Sequence, residues 1–200
     1  VALLKGETAK LVGMGVALST LVLGIVTVAM SLGGAALSVS VPWIRPIGAY
    51  YALDMSGMDA ILVLLTVILM PVVMLAEWKV GDRETARGTT GGFFALALLM
   101  QGLALFVFLA GDLLLFYIAF EATLIPVYFM IGRFGGDGRA RAAIKFLIYS
   151  LAGGLVLLVG VVGLYAVAVQ QGQVSLLISD LGGLDLDSAT GNLLFLCVFF

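Results

Sequence analysis

The chain has 200 residues, of which 62% are hydrophobic and 11% are charged, and its formal net charge is −2. A soluble domain carries about 25% charged residues, so this composition excludes that class. The uncharged runs 11–44, 88–111 and 146–179 each exceed the roughly 18 residues that mark a membrane-spanning helix. They also lack the strict alternation of a membrane β-barrel. The sequence therefore predicts an all-α fold, a polytopic transmembrane helical bundle.

In chain order, five spans and the start of a sixth are predicted, at about 11–31, 57–76, 91–110, 112–132, 143–169 and 192–200. The last run is too short to cross a membrane. Because the chain also begins without Met, we expect a single transmembrane domain over 1–200 that is truncated at both ends. Between the first two spans, Pro42 and Pro46 forbid a continuous helix.

Basic residues are distributed unevenly between the connecting segments. When the segments are assigned to alternating sides, nine basic residues fall on one side and Arg45 alone on the other. The nine are Lys5, Lys10, Lys79, Arg83, Arg87, Arg133, Arg139, Arg141 and Lys145. Basic loops stay in the cytoplasm. The chain start and the loops 77–90 and 133–142 are therefore predicted to be cytoplasmic, and the loops 32–56 and 170–191 to lie outside.

Glu121 lies in the middle of the fourth predicted span, DLLLFYIAFEATLIPVYFMIG. It follows Asp112 by nine residues, or about 14 Å along a helix. An ionised carboxylate at that depth costs on the order of 3 kcal/mol, so the side chain must face the bundle interior, either protonated or paired. Its proton affinity then depends on its neighbours, which is typical of a proton path. The alternative is a neutral side chain that hydrogen-bonds another helix.

Two features accompany the acid. Pro126 removes the hydrogen-bond donor for the carbonyl of Ala122, so a helix bend is expected beside Glu121. Thr123 or a water molecule could satisfy a nearby carbonyl. Lys145 begins the next span, where it could reach back to the cytoplasm or serve a proton path from its inner end.

The remaining acids and the glycines have structural interpretations. Asp112 and Asp59 lie near the starts of spans and are interpreted as solvated helix caps. Glycines crowd the fifth span, which predicts close helix packing without polar contacts. These glycines are Gly153, Gly154, Gly160 and Gly163.

The cysteine and histidine content limits redox chemistry. The chain has one cysteine, Cys197, and no histidine. Fe–S clusters need several thiolates, and haem is usually held by His, Met or Cys. We therefore expect this chain to bind no cofactor and no metal. The net charge comes without a basic tract, so nucleic acid is not an expected partner.

The segments GDLLLFYIAFEATLIPVYFMIGRFGG and RARAAIKFLIYSLAGGLVLLVG resemble the M-type antiporter-like, proton-translocating membrane subunit of respiratory complex I, the NADH:quinone oxidoreductase. The resemblance covers about 41–200 and, more weakly, the first span. It implies a fragment of a longer helical fold, from the second to the sixth helix and the start of the seventh. It also implies that Glu121 is the relay glutamate, paired with a lysine of the broken seventh helix that would lie beyond Phe200. Lys145 matches a family lysine whose role is less defined.

The same resemblance implies the cofactors and partners. FMN, Fe–S clusters and quinone would be held by partner subunits, and the neighbours would be L-type and N-type antiporter-like subunits in a bacterial plasma membrane. Two alternatives stay open. One is a subunit of a multisubunit cation/proton antiporter or of a membrane-bound hydrogenase. The other is a structural membrane spacer, in which Glu121 makes only a packing hydrogen bond.

Overall fold

The computed structural model describes residues 1–2, 4, 6–79 and 89–199. Three basic residues of the predicted cytoplasmic side, Lys5, Arg83 and Arg87, lie outside the described residues. The helices are α1 Gly6–Leu32, α2 Gly57–Ala76, α3 Thr90–Leu109, α4 Leu113–Phe134, α5 Arg139–Gln170, α6 Ile178–Leu181 and α7 Ser188–Phe199. The strands are β1 Ser38–Ile44 and β2 Ala49–Asp54.

The predicted fold class is confirmed. Within the described part of the chain, α1 to α5 are each long and apolar enough to cross a membrane, and the fold is that of a multi-pass membrane protein. Helices extend beyond the predicted apolar runs: α1 begins at Gly6 rather than 11, and α5 begins at Arg139 rather than 143. The physical reason is that apolar composition marks the part of a helix in lipid, whereas Lys and Arg continue the helix readily into the polar region.

The first three helices pack around two apolar clusters. Toward one end, Phe94 of α3 lies against Ala17 of α1 and Met74 of α2. Toward the other end, Val28 of α1 packs with α2. α4 then packs between α3 and α5. The outward faces of the spans stay apolar and exposed, as expected of helices that face lipid.

The predicted 32–56 loop contains an antiparallel β-hairpin that was not predicted from the sequence. β1 and β2 are joined by a 3₁₀ turn that ends at Gly48, whose φ of 63° is in the left-handed region. Glycine is needed there for two reasons. It adopts this left-handed conformation without strain, and a Cβ on Gly48 would overlap the carbonyl of Val174.

Backbone hydrogen bonds join this hairpin to two other segments at the same end of the bundle. The Gly111 N–H, in the link between α3 and α4, donates to the Ala52 carbonyl at 2.9 Å. The Leu176 N–H, after α5, donates to the Gly48 carbonyl at 3.0 Å, and the Leu113 N–H donates to the Leu176 carbonyl at 2.8 Å. Three separate parts of the chain therefore close one end of the bundle.

Asp112 is at the centre of this closure, and the expectation of a solvated cap is wrong for it. Its side chain is 0% exposed. One carboxylate oxygen accepts from the N–H groups of Leu114 and Leu115 at 3.0 Å each, and the other accepts from the Tyr50 N–H at 2.9 Å. Asp112 does cap α4, but the hairpin and the segment after α5 exclude water from it. Asp59, by contrast, caps α2 at an exposed end together with Ser56.

Candidate functional site

The candidate site lies on α4, where Glu121 is placed well inside the helix. The helix begins because Asp112 caps it, and Glu121 follows Leu113 by eight residues and precedes Phe134 by thirteen. These separations correspond to about 12 Å and about 20 Å. The carboxyl is thus too deep for its short side chain to reach either end of the helix.

The carboxyl group of Glu121 points at α5. The side chain is half-buried, and its Oε1 atom is buried with no hydrogen-bond partner among the described residues. It lies over Gly154, where a Cβ would overlap Oε1 and come within 2.7 Å of Cδ. A carboxyl oxygen out of water normally has a partner, so this atom has hydrogen-bonding capacity left to use.

Pro126 and Thr123 lie on the same helix, close to the acid. The helix continues through Pro126, which is fully buried. The Thr123 hydroxyl donates to the Phe120 carbonyl at 2.6 Å, so it does not serve the Ala122 carbonyl, which loses its helical donor to the proline. The carbonyl oxygen of Ala122, the residue after Glu121, is therefore without its helical hydrogen bond.

Lys145 is not brought to the acid. It is exposed and precedes Gly154 by nine residues of α5. That separation is about 14 Å along the axis and two and a half turns around it, which puts the two residues on opposite faces of the helix. Lys145 and Glu121 are therefore separate groups in this structure.

Two residues near the middle of the bundle were not predicted from the sequence. One is Gly154: the expectation that the α5 glycines pack without polar contacts is wrong there, although Gly163 does face an apolar side chain, Leu194. The other is Gln101 of α3, which is 3% exposed and whose Nε2 has no hydrogen-bond partner among the described residues. The signal for Gln101 was available, since it is a lone amide in the run LALLMQGLALF.

Gln101 and Glu121 lie at a similar depth. Gln101 precedes Leu109 by eight residues, as Glu121 follows Leu113 by eight, so each is about 12 Å from the link between α3 and α4. Gln101 follows Phe94 by seven residues, two turns along the same helix face. That face packs on α1 and α2. Gln101 thus belongs to the three-helix core, and Glu121 to the contact between α4 and α5.

Comparison with known proteins finds a matching family for the later part of the chain. Residues 110–200 match the family described as NADH:quinone oxidoreductase/Mrp antiporter, TM. NADH-quinone oxidoreductase subunit M of Mycobacterium tuberculosis is 42% identical over 153 residues, covering 64% of this chain and 28% of that protein. The chain therefore spans less than a third of that curated relative.

Solved structures extend the similarity to nearly the whole chain. A chain of respiratory complex I from Thermus thermophilus with bound NADH superposes with a TM-score of 0.80 at 29% identity, covering 94% of this chain and 38% of that one. A chain of the Mrp complex from Dietzia sp. superposes with a TM-score of 0.67 at 23% identity, covering 96% and 22%; this second likeness concerns the fold alone. The resemblance to an antiporter-like membrane subunit of complex I is confirmed.

Proposed function

We propose that this chain, as part of an antiporter-like membrane subunit, translocates protons in NADH:quinone oxidoreductase, respiratory complex I. The observation that carries the proposal is the Glu121 carboxyl, whose Oε1 is buried deep in α4 without a hydrogen-bond partner among the described residues. A purely structural spacer would use such a carboxyl to bond a neighbouring helix. α5 instead presents a glycine to it, which favours a group that exchanges protons.

The mechanism follows from electrostatics rather than covalent chemistry. A carboxyl about 12 Å inside the helix reaches water only through an internal path. The carbonyl of Ala122, freed by Pro126, offers an acceptor for such a water beside it. A negative Glu121 stabilises a nearby ammonium group, and a change in their distance or hydration changes how tightly that ammonium holds its proton.

The proposed partner of Glu121 is a lysine beyond Phe200 on the broken seventh helix, whose start lies in this chain, as the family resemblance implies. Lys145 has a different proposed role. Because it is exposed and about 14 Å along α5 from Gly154, we assign it to the cytoplasmic end of the path rather than to a bond with Glu121.

The redox chemistry is proposed to belong to partner subunits. Among the described residues, no group of three or more His, Cys, Asp or Glu side chains could hold a metal ion. The whole sequence offers one cysteine and no histidine, which does not fit an Fe–S cluster. FMN, Fe–S clusters and quinone are therefore assigned to other subunits, with L-type and N-type antiporter-like subunits as the membrane neighbours.

The proposed orientation in a bacterial plasma membrane follows from the charges. Lys10, at the start of α1, lies with its Nζ 5.7 Å from the Trp78 ring centroid just beyond α2. Arg133 and Arg139 flank the link between α4 and α5. This end is assigned to the cytoplasm. The hairpin at the other end is then outside, and a cysteine introduced at its exposed residue Val41 should react with an impermeant maleimide added outside. Reaction only from the cytoplasmic side would reverse the assignment.

The test of the function is Glu121→Gln in the full-length subunit, assembled in its complex in membrane vesicles. NADH-driven quinone reduction and proton pumping are recorded together. Gln keeps the size of the side chain but cannot ionise. Glu77→Gln, the same change at the end of α2, is the matched control. We expect both activities to fall in the Glu121 variant and to persist in the control.

Each other outcome has a defined meaning. Normal pumping by an assembled Glu121→Gln complex would contradict the proton-relay role and favour a structural spacer. The main rival function is a subunit of a cation/proton antiporter, since the matched family includes Mrp antiporters. In that case the purified complex would lack flavin and Fe–S subunits and would exchange cations for protons without NADH.

A further inference from the structure

The close approach of α5 to the candidate site occurs at Gly154. A Cβ placed on this buried residue would overlap Glu121 Oε1, lie 2.7 Å from Cδ and lie 3.3 Å from Oε2. Real Cβ atoms essentially never show distances under 3.0 Å, and because the group met here is the end of a flexible side chain, it is the carboxyl that would shift. The carboxyl thus occupies the volume that any other residue at position 154 would fill with its side chain.

The contact is one of space rather than of hydrogen bonding. Gly154 lies inside α5, where backbone N–H and carbonyl groups bond within the helix. It therefore offers the carboxyl no free donor, in agreement with the unpartnered Oε1. The absent side chain leaves room for the carboxyl at this point, and the carboxyl keeps its remaining hydrogen-bonding capacity for a proton donor or acceptor.

We infer that Gly154 is a positioning residue for Glu121: its lack of a side chain lets the carboxyl rest on the α5 backbone, at the point from which the carboxyl exchanges its proton. This inference rests on the proposed role of Glu121 in proton translocation. It goes beyond that role by naming the residue that makes room for the acid across the helix–helix contact.

The neighbouring residue supplies a matched control. Gly153 lies in the same helix and is exposed, and a Cβ there would meet nothing within 4 Å. Gly→Ala stabilises a helix interior by a similar amount, up to about 1 kcal/mol, at either position. A difference between Gly154→Ala and Gly153→Ala therefore reports the contact with Glu121 and not the helix propensity.

The experiment measures proton pumping and the pH profile of NADH-driven quinone reduction in vesicles with the assembled full-length variants. Misplacing a catalytic group by 1 Å can cost about 100-fold in rate. We expect Gly154→Ala to lower the rates of pumping and quinone reduction by about 10- to 100-fold and to change the pH profile. Gly153→Ala should match the parent protein in both. Glu121→Asp, which withdraws the carboxyl by one methylene, should restore part of the loss when combined with Gly154→Ala.

Gly154→Ala activity and pH profile equal to those of Gly153→Ala would overturn the inference, as would a loss that Glu121→Asp does not relieve. If Gly154→Ala fails to assemble, assembly yield becomes the readout: recovery in the double variant supports the contact, and no recovery overturns it. Failure of the proposed function looks different. In that case Glu121→Gln pumps normally, whereas failure of the inference alone leaves Glu121→Gln impaired.

Discussion

Replacing Asp112 by asparagine should break the hydrogen bond that joins the hairpin to the start of α4. Asparagine caps a helix about as well as aspartate, so one oxygen can keep the bonds from Leu114 and Leu115. The amide nitrogen then faces the Tyr50 N–H, which now donates to a carboxylate oxygen at 2.9 Å. A hydrogen bond to a charged group contributes about 1.5–3 kcal/mol, and this contribution is lost.

The loss can be measured by hydrogen–deuterium exchange of the assembled full-length subunit. Because 1.4 kcal/mol is about a factor of ten in an equilibrium, amide exchange in β2 should become about 10- to 100-fold faster as local opening becomes easier. Asp59→Asn is the control, since Asp59 also caps a helix but accepts from Ser56 at an exposed helix start rather than from the hairpin. If the introduced amide rotates so that its oxygen serves Tyr50, the faster exchange moves to Leu114 and Leu115. Unchanged exchange at both places would refute the reasoning.

Two other side chains give further predictions. Gln101→Leu should leave the thermal stability of the assembled subunit unchanged or raise it. The change removes a buried donor without a partner among the described residues, and such an unsatisfied donor costs about 1–3 kcal/mol. A clear loss of stability in a melting experiment would show that the amide is bonded. The pKa of Asp187 is lowered, chiefly by hydrogen bonds from the side chain and backbone of Thr190. The carboxylate therefore stabilises the start of α7 above the ordinary Asp pKa, and this contribution is lost as pH falls through the lowered pKa. The Thr190 amide ¹⁵N shift should titrate below the ordinary Asp range and should stop titrating in Asp187→Asn; a midpoint at or above that range would contradict the assignment.

The transmembrane helices could be predicted because their cause is local. In lipid every backbone polar group must be bonded within its own helix, so a long uncharged run leaves little choice of structure. The ends were less predictable: α5 begins at Arg139, before its apolar run, because charged residues continue the helix into the polar region. Local composition thus determines which residues cross the membrane better than it determines where a helix stops.

The buried closure of one end of the bundle could not be predicted in the same way. The bond from the Tyr50 N–H to Asp112 joins residues 62 positions apart. From the sequence, Asp112 is an acid before an apolar helix, and a solvated cap is the natural interpretation. Its burial is produced by the hairpin and by the segment around Leu176. A charge can be assigned to water or to the interior only when all segments that cover it are known.

The two residues of the candidate site differ in the same way: Glu121 could be predicted from the local sequence, whereas Gly154 could not. A carboxyl in an apolar run is visible in the sequence because its desolvation is costly wherever the helix packs. The residue opposite it is not visible, because it is set by the register of α5 against α4. A one-residue change in that register rotates α5 by about 100° and would replace Gly154 by Gly153 or Leu155. The chemistry of the acid is therefore local, whereas its position depends on the pair of helices, and comparing Gly154→Ala with Gly153→Ala separates the two.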